Sequence, residues 1–538
     1  MRRRWARPVI LLLSVVGFGA WGHAGASAEG TLRIGMTAAD IPQTTGVPDQ
    51  GGEGYRFIGY QLYDALVNWD LSRADVVANL TPGLATEWHP DPTDPKKWIF
   101  KLRQGVRFHD GSAFDADAVI WNLDKILKED APQYDRHQVA QVMSRIPSFA
   151  SYRKIDGFTV EITTKFANSL LPYETTGVLF SSPAQYEAVG RSWVAFAAKP
   201  SGTGPFKLER LVPRERAELV RNADYWDPKR VPKLDRVILL PIPEATQRTA
   251  ALLSGRIDWN EAPAPDTLPA LKAAGMQVIL NPYPHNWTYQ PNLAEGAPFS
   301  DIRVRQAVNL AIDRDGLTKL LNGTAQPGLG LVYPDHPWYG APTFKVRYDP
   351  SEAKRLLAEA GYGPDKPLKL KIAISTSGSG QMQPLMMNEF VQQNLKDVGI
   401  DTEFEVLEWM SLLVASRIPA NAPENKARGI DAINVSRGFS DPYSAFQRMA
   451  DSRFTPPRGA NWGMIKDPVI DALDDQVLTT FDEEKRDDYL RQINARIVDQ
   501  AWMVFICHDL NPRALSPKVQ GFVQAQSWYQ DLTPIEIR

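Results

Sequence analysis

Asn281-Pro282-Tyr283-Pro284-His285-Asn286-Trp287-Thr288-Tyr289-Gln290-Pro291-Asn292 is the stretch on which the reading of this chain turns. With a period of two, Tyr283, His285, Trp287 and Tyr289 place four rings on one face of an extended segment. Asn286, Thr288 and Gln290 line the other face. Two arrangements accommodate that pattern. Either the rings fill a core as a ladder, or the strand crosses between two lobes and turns its rings toward a ligand in the cleft. The rest of the chain has to decide between them.

At 538 residues the chain exceeds one ordinary core, and roughly two to four domain-sized units are expected. Hydrophobic residues at 43% and charged residues at 23% are the proportions of a globular protein, and no low-complexity tract or block of like charge interrupts them. The amino terminus is different. Arg2, Arg3, Arg4 and Arg7 precede an apolar run over residues 9–20, and Ala26-Ser27-Ala28 offers a small-x-small cleavage site. That layout predicts a secretory signal cut after Ala28; the alternative is an uncleaved anchor, for which the run is short. Arg3-Arg4-Trp5-Ala6 is a poor match to a twin-arginine signal.

Loss of those four arginines takes the formal charge from −3 to −7. Such an acidic exported protein has no electrostatic reason to bind nucleic acid or an anionic bilayer. The single cysteine, Cys507, rules out an internal disulfide and lies too far along the chain to carry a lipid at a new amino terminus. The expectation is a free soluble protein of an extracytoplasmic space with no lipid anchor.

Residues 31–37 alternate as a first strand, and a loop over 41–54 leads to an expected helix over 55–67. Lys97 to Leu102 and Val106 to Phe108 read as short strands about Gln104-Gly105, and Asp115 caps a helix reaching Lys128. Past Ser201-Gly202-Thr203-Gly204-Pro205 come strands at 206–211, 217–221 and 237–240, then a helix over 244–254 closed by Gly255. Ser300 is the expected cap of a helix through Ile312, and Asp349-Pro350 starts another that Gly361 ends. Residues 369–375, 381–398 and 401–406 read strand, helix, strand, with a helix from Trp409 and a strand over 430–435 after them. Two helices, from Asp467-Pro468 and from Asp482, precede an apolar strand over 502–506. This is an α/β pattern with a partly parallel sheet.

Catalytic constellations are scarce. No Gly-x-Ser-x-Gly, Gly-x-Gly-x-x-Gly, P-loop or His-Glu-x-x-His motif occurs. The histidines His89, His109, His137, His285, His336 and His508 are scattered, with no pair at metal-ligand spacing. Cys507 and His508 are adjacent on a strand and so point to opposite faces. Neither a catalytic residue, a metal site nor a cofactor is assigned. A secreted hydrolase with carboxylates drawn from distant segments is the competing class.

Three sets of residues, taken together, resemble the extracytoplasmic solute-binding proteins of ABC importers, in the peptide, nickel and opine-binding family 5. The first is Pro82-Gly83-Leu84-Ala85-Thr86-Glu87-Trp88 followed by Trp98-Ile99-Phe100-Lys101-Leu102-Arg103-Gln104-Gly105-Val106-Arg107-Phe108-His109-Asp110-Gly111. The second is Gly202-Thr203-Gly204-Pro205-Phe206 with Arg221-Asn222-Ala223-Asp224-Tyr225-Trp226. The third is Asp301-Ile302-Arg303-Val304-Arg305-Gln306-Ala307 with Ile312-Asp313-Arg314. They stand in order across nearly the whole mature chain.

The resemblance implies an α/β, two-lobed periplasmic-binding-protein fold with an additional accessory domain and two inter-lobe crossovers. Residues 29–60, 200–285 and 506–538 would form lobe I, 61–199 the accessory domain and 286–505 lobe II. It also implies capture of a small-molecule or peptide ligand and delivery to inner-membrane permease subunits driven by a cytosolic ATPase, with no catalysis; a metal or haem carrier of the same fold is the alternative within the family.

Site residues follow by the same resemblance. Trp287 and Tyr289 lie on the first crossover, and Trp409 follows Glu408 as in the family pattern. Phe439 follows Gly438, and Asp441 matches either the family's amine-binding aspartate or its later Asp-Pro, with a spacing about two residues short. Glu53 and Tyr55 follow the loop that approaches ligand in relatives. An additional loop, residues 418–428, separates Trp409 from this region. From the residues alone, Arg437 is a candidate clamp for a carboxylate or phosphate, and Trp462 a candidate stacking surface.

Overall fold

The computed structural model describes residues 30–376 and 383–538. The expected signal segment lies outside the described residues.

Two large mixed sheets organise the chain. The first has the order Gln277–Ile279, Arg513–Leu515, Trp259–Glu261, Thr31–Met36, Arg236–Pro241, Arg216–Arg221, Phe206–Val212. Thr31–Met36 is parallel to both of its neighbours. The second has the order Ala325–Pro327, Val504–Asp509, His285–Pro291, Ala432–Asn434, Leu368–Ser375, Ile400–Leu407, with Arg437–Gly438 pairing to the start of His285–Pro291. A four-stranded antiparallel sheet, Ala85–Pro90, Lys97–Leu102, Thr159–Thr164 and Phe149–Asp156, is formed by residues between the first two strands of the first sheet.

Helices begin where short polar side chains can accept backbone hydrogen bonds. Asp115 accepts from Ala118, Asp349 from Glu352, Asp467 from Val469 and Asp482 from Lys485. The helix expected from Ser300 is instead capped by Asp301, whose side chain accepts from Arg303, because Ser300 is spent in a 3₁₀ turn. The helix expected over 55–67 begins at Gly51 and stops at Leu62, with a π-turn at Tyr55–Gly59. It cannot continue, since the Leu62 carbonyl accepts from Gly204 at 3.0 Å and Tyr63 turns extended. Residues 106–108 form no strand beyond a bridge between Arg107 and Ala113, as Lys97–Leu102 already pairs on both edges. Within 418–428 the chain forms a short helix, Pro423–Arg428.

The chain passes between the large sheets twice, at 280–284 and at 510–512. The two passages are tied together: Asn281 N–H donates to the Leu510 carbonyl at 2.9 Å, and the Asn281 amide to Gln524 at 2.7 Å. Beneath them lies a buried ion set. Glu261 pairs with Arg56 and, at 2.6 Å, with Arg513, and accepts from Trp259 Nε1 at 3.1 Å. Arg513 also donates to the Asn511 and Pro512 carbonyls at 3.0 and 3.1 Å, so a side chain of the first sheet grips the second passage.

Candidate functional site

A cavity of about 380 Å³ lies where these parts meet. Its walls come from three places. Gly52, Trp528 and Tyr529 belong to segments packed on the first sheet; Arg145, Tyr173 and Glu174 come with the antiparallel sheet; and Gly438, Ser440, Asp441, Ser444 and Arg448 come from the second. The volume falls in the roughly 300–1,000 Å³ range of small-molecule sites.

The floor is Trp528. Its Nε1 donates to the Pro284 carbonyl on the first passage at 2.7 Å, and its backbone carbonyl accepts from Arg56 at 2.9 Å. Gly52 and Gly438 both press on the indole: a Cβ at Gly52 would come within 2.7 Å of Cε3, and one at Gly438 within 2.9 Å of Nε1. Glycine is therefore required by close approach at both positions.

Two acids and two arginines face the space, and all but Arg448 are held by their own neighbours. Glu174 accepts from Ser148 N–H at 3.2 Å and Asn168 Nδ2 at 2.8 Å. Burial pushes its carboxyl up to about 8, the nearby charge of Asp441 adds to the rise, and the bonds from Ser148 and Asn168 oppose it. Asp441 accepts from Ser444 N–H at 3.0 Å and Ser444 Oγ at 2.8 Å; burial raises its carboxyl as well, against those bonds. Arg145 donates to the Tyr529 hydroxyl at 3.3 Å and stacks 4.5 Å over the Tyr55 ring. Arg448, on the second-sheet wall, has no ion pair among the described residues. Acids and bases with aromatic walls (Trp69, Tyr173, Tyr443) suit a solute carrying both charges and some apolar surface.

Of the residues expected from sequence, Asp441 lines this cavity. Glu53, beside Gly52, is turned away to bind Thr37 N–H at 2.7 Å and Ala38 N–H at 3.1 Å, fixing the loop after the first strand. Tyr55 lies under Arg145 and donates to the Gly177 carbonyl, which is itself on the wall, at 2.9 Å. Trp287 and Tyr289, expected at the cleft, instead pack in the core of the second sheet, 1% and 0% exposed, with the Tyr289 hydroxyl donating to Asn388 at 2.6 Å. Their strand is central, paired on both edges, and every residue along it is buried, so both of its faces are covered. Phe439 is likewise buried, its ring near His508 and Tyr333, while its neighbours Gly438 and Ser440 line the cavity. Trp462 is fully buried and donates to the Ala415 carbonyl at 3.2 Å. Trp409 packs against that same cluster, and Glu408 before it caps its helix through Met410 and Ser411. Arg437 is partly buried next to the wall strand.

Arg145, Tyr173, Glu174, Trp528 and Tyr529 were not expected from sequence. Nothing local marks them; they reach the site from the middle and the end of the chain.

Among the described residues, no group of three or more His, Cys, Asp or Glu is arranged to hold a metal ion, and no helix is long and apolar enough to cross a membrane.

The sequence profile of the family described as bacterial extracellular solute-binding proteins, family 5 Middle, matches residues 79–455. The chain is 26% identical over 496 residues to heme-binding protein A of Haemophilus influenzae, covering 89% of this chain and 87% of that protein. It is 27% identical over 382 residues to di/tripeptide-binding protein 2 of Pseudomonas aeruginosa, covering 67% of this chain and 70% of that one. In three dimensions it resembles a dipeptide-binding protein from Pseudoalteromonas solved with Met-Leu, with a TM-score of 0.75 and 22% identity over 94% of this chain and all of the other.

Proposed function

The chain belongs to the family 5 bacterial extracellular solute-binding proteins, and from that premise we propose that it captures a small zwitterionic solute, of dipeptide or tripeptide size, in the cavity floored by Trp528. The observation that carries this reading is the composition of the walls. Glu174 and Asp441 offer acceptors for an ammonium group, Arg145 and Arg448 offer donors for a carboxylate, and aromatic rings fill the space between. Relatives named for haem and for di- and tripeptides match in sequence and a dipeptide-binding protein matches in fold, and the peptide class fits the charges found here.

The assignment of parts supports the mechanism. Residues 29–60, 200–285 and 506–538 act as lobe I, 61–199 as an accessory domain and 286–505 as lobe II. A ligand touching walls from all three favours closure, because only contacts that differ between open and closed states shift their balance. The closed form is then presented to permease subunits driven by a cytosolic ATPase, from a monomer free in the periplasm after loss of residues 1–28. No catalytic step is needed.

The test is native mass spectrometry of protein exported by its own leader, followed by calorimetric titration with the co-purified solute and a panel of dipeptides and tripeptides. Saturable binding that weakens at least tenfold in both Asp441→Asn and Glu174→Gln, with ligand recovered unchanged, is expected. Chemical conversion of the ligand, or binding indifferent to both substitutions, overturns the proposal.

A further inference from the structure

Tyr173 lines two cavities, the one floored by Trp528 and a second of about 280 Å³, and it is the residue common to both. The second lies on the seam between the antiparallel sheet and the helix Glu483–Asp499. Trp88 and Trp98, on the strands Ala85–Pro90 and Lys97–Leu102, form one wall with Tyr173. Phe481, Glu483 and Arg486 form the other. The two sides interlock. The rings of Trp98 and Phe481 stand 5.7 Å apart, and the Arg486 guanidinium sits 5.7 Å over the Tyr173 ring. Phe481 packs against the core that holds the antiparallel sheet, while Tyr173 reaches the cluster on the other side of the seam.

The lining has the chemistry of a small solute site. Trp88, Tyr173 and Phe481 are only half-buried, so flat apolar surface is left open beside the buried Trp98. Arg486 is buried, yet among the described residues it makes one hydrogen bond, from Nη2 to Glu483 at 3.3 Å. Its approach to Asp487 is long, at 3.9 Å, and its Nε has no acceptor there. A guanidinium carries five donors, so most of its capacity is unspent. Glu483 is exposed and accepts that single bond among the described residues. A cation and an anion thus stand side by side next to a set of rings. The volume, at the low end of solute cavities, suits one ring and not a peptide.

We propose that this seam cavity is a second solute site, which takes a single-ring zwitterion of the size of free phenylalanine. The ring lies among Trp88, Trp98 and Phe481, the carboxylate takes the spare donors of Arg486 and the ammonium group is held by Glu483. The site is separate from the cavity floored by Trp528. Its walls come from both sides of the seam, so an occupant holds the two sides together. Closure is the state that captures solute in the first cavity, so each site tightens the other, by the same factor in both directions.

The experiment titrates the full mature protein calorimetrically with phenylalanine, with 3-phenylpropionate, which lacks the amine, and with 2-phenylethylamine, which lacks the carboxylate. The wild type is compared with Arg486→Gln, Glu483→Gln, Trp88→Ala and Asp441→Asn. The expected result is saturable binding of phenylalanine to the wild type, weakened about tenfold or more in the first three variants and for both analogues, but retained in Asp441→Asn. Since Glu483 is exposed, Glu483→Gln reads the site even where a change at the buried Arg486 unsettles the fold. Saturating phenylalanine should also tighten dipeptide binding by about fivefold or more. No binding by the wild type overturns the proposal, as does binding indifferent to both Arg486→Gln and Glu483→Gln. Binding lost in Asp441→Asn overturns it too, because the ring is then in the first cavity. A dipeptide affinity indifferent to phenylalanine overturns the coupling. If phenylalanine binds with the expected pattern while no dipeptide or tripeptide does, the seam site stands and the peptide reading of the first cavity falls. If peptides bind and phenylalanine does not, the reverse holds.

Discussion

The hinge and the cleft wall lie next to each other on the strand His285–Pro291 and are built on opposite terms. At the hinge each strong group is answered inside the chain. Glu261 holds Arg56 and Arg513, Arg513 holds the Asn511 and Pro512 carbonyls, and the Tyr283 hydroxyl reaches Asp509 at 3.0 Å. On the wall Arg448 has no ion pair, and beside it Arg437 Nε has no acceptor, among the described residues, while Glu174 and Asp441 keep carboxyls raised by burial. A satisfied network fixes one geometry, whereas an unsatisfied one is completed by what binds. The passage between the lobes is thus set by the protein, and the wall is left for the ligand.

Removing a partner at each place tests this contrast most strongly. Glu261→Gln removes the carboxylate that pairs with both buried Arg56 and buried Arg513 and should cost about 3–5 kcal/mol in a urea titration. Arg437→Gln removes a charge that had no partner and should cost nothing, or stabilise the free protein. If the two variants lose stability equally, Arg437 is structural and the distinction between hinge and wall collapses.

The apolar contacts divide in the same way. Leu170, from the segment that also supplies Tyr173 and Glu174, is 2% exposed inside a cluster otherwise built of residues from 331 to 505. Beside it Ser169 donates through N–H to the Leu478 carbonyl at 2.8 Å and through Oγ to Val477 at 2.6 Å. This seam joins the antiparallel sheet's part of the chain to the far side of the cleft, so it is made only when the parts are together. Leu170→Ala should remove about 2–5 kcal/mol from the assembled arrangement. In small-angle scattering the radius of gyration should rise, and ligand affinity should fall by tenfold or more. An unchanged radius and unchanged affinity would make Leu170 an ordinary core residue.

Much of the architecture is legible in the residues. Aspartates before helices, proline in the first turn and alternating strands locate most elements, and the ordered motifs from Pro82 to Arg314 locate the family. Of the cavity's lining, the sequence anticipates Asp441. Trp287 and Tyr289 misled because alternation of rings and amides looks like a half-exposed strand. The amides are in fact buried too, as Asn286 shows by donating to the Leu331 carbonyl at 2.9 Å. Arg145, Glu174 and Trp528 are brought to Gly438 from positions hundreds of residues apart or at the chain's end, and no local pattern encodes such a meeting. The unanswered charge of Arg437 is visible only once the partners of its neighbours have been assigned.

The smallest effect is the most diagnostic of what the wall awaits. Glu174 is protonated in the free protein up to about pH 8, whereas in the unfolded chain it ionises near its ordinary value of 4.5. Below 4.5 the two states hold the same proton. Between 4.5 and 8 the unfolded chain holds fewer, so this residue's contribution to stability is lost as pH rises through that window, and Glu174→Gln should flatten the slope there. Ligand binding adds a second sign. An ammonium group favours the ionised carboxylate, so capturing an amine at pH 6 must expel the proton, and affinity should rise by at most about tenfold per pH unit toward pH 8. Asp441, Arg145, Arg448, Tyr173 and Tyr443 face the same space. Of these, Asp441 also gains charge with pH, so its Asn variant should shift the midpoint of the rise downward by relieving the repulsion on Glu174. Calorimetry in two buffers of different ionisation enthalpy reads the proton directly. Release on binding that disappears in Glu174→Gln places the amine at Glu174; no release, or release that persists in the variant, places it elsewhere on the wall.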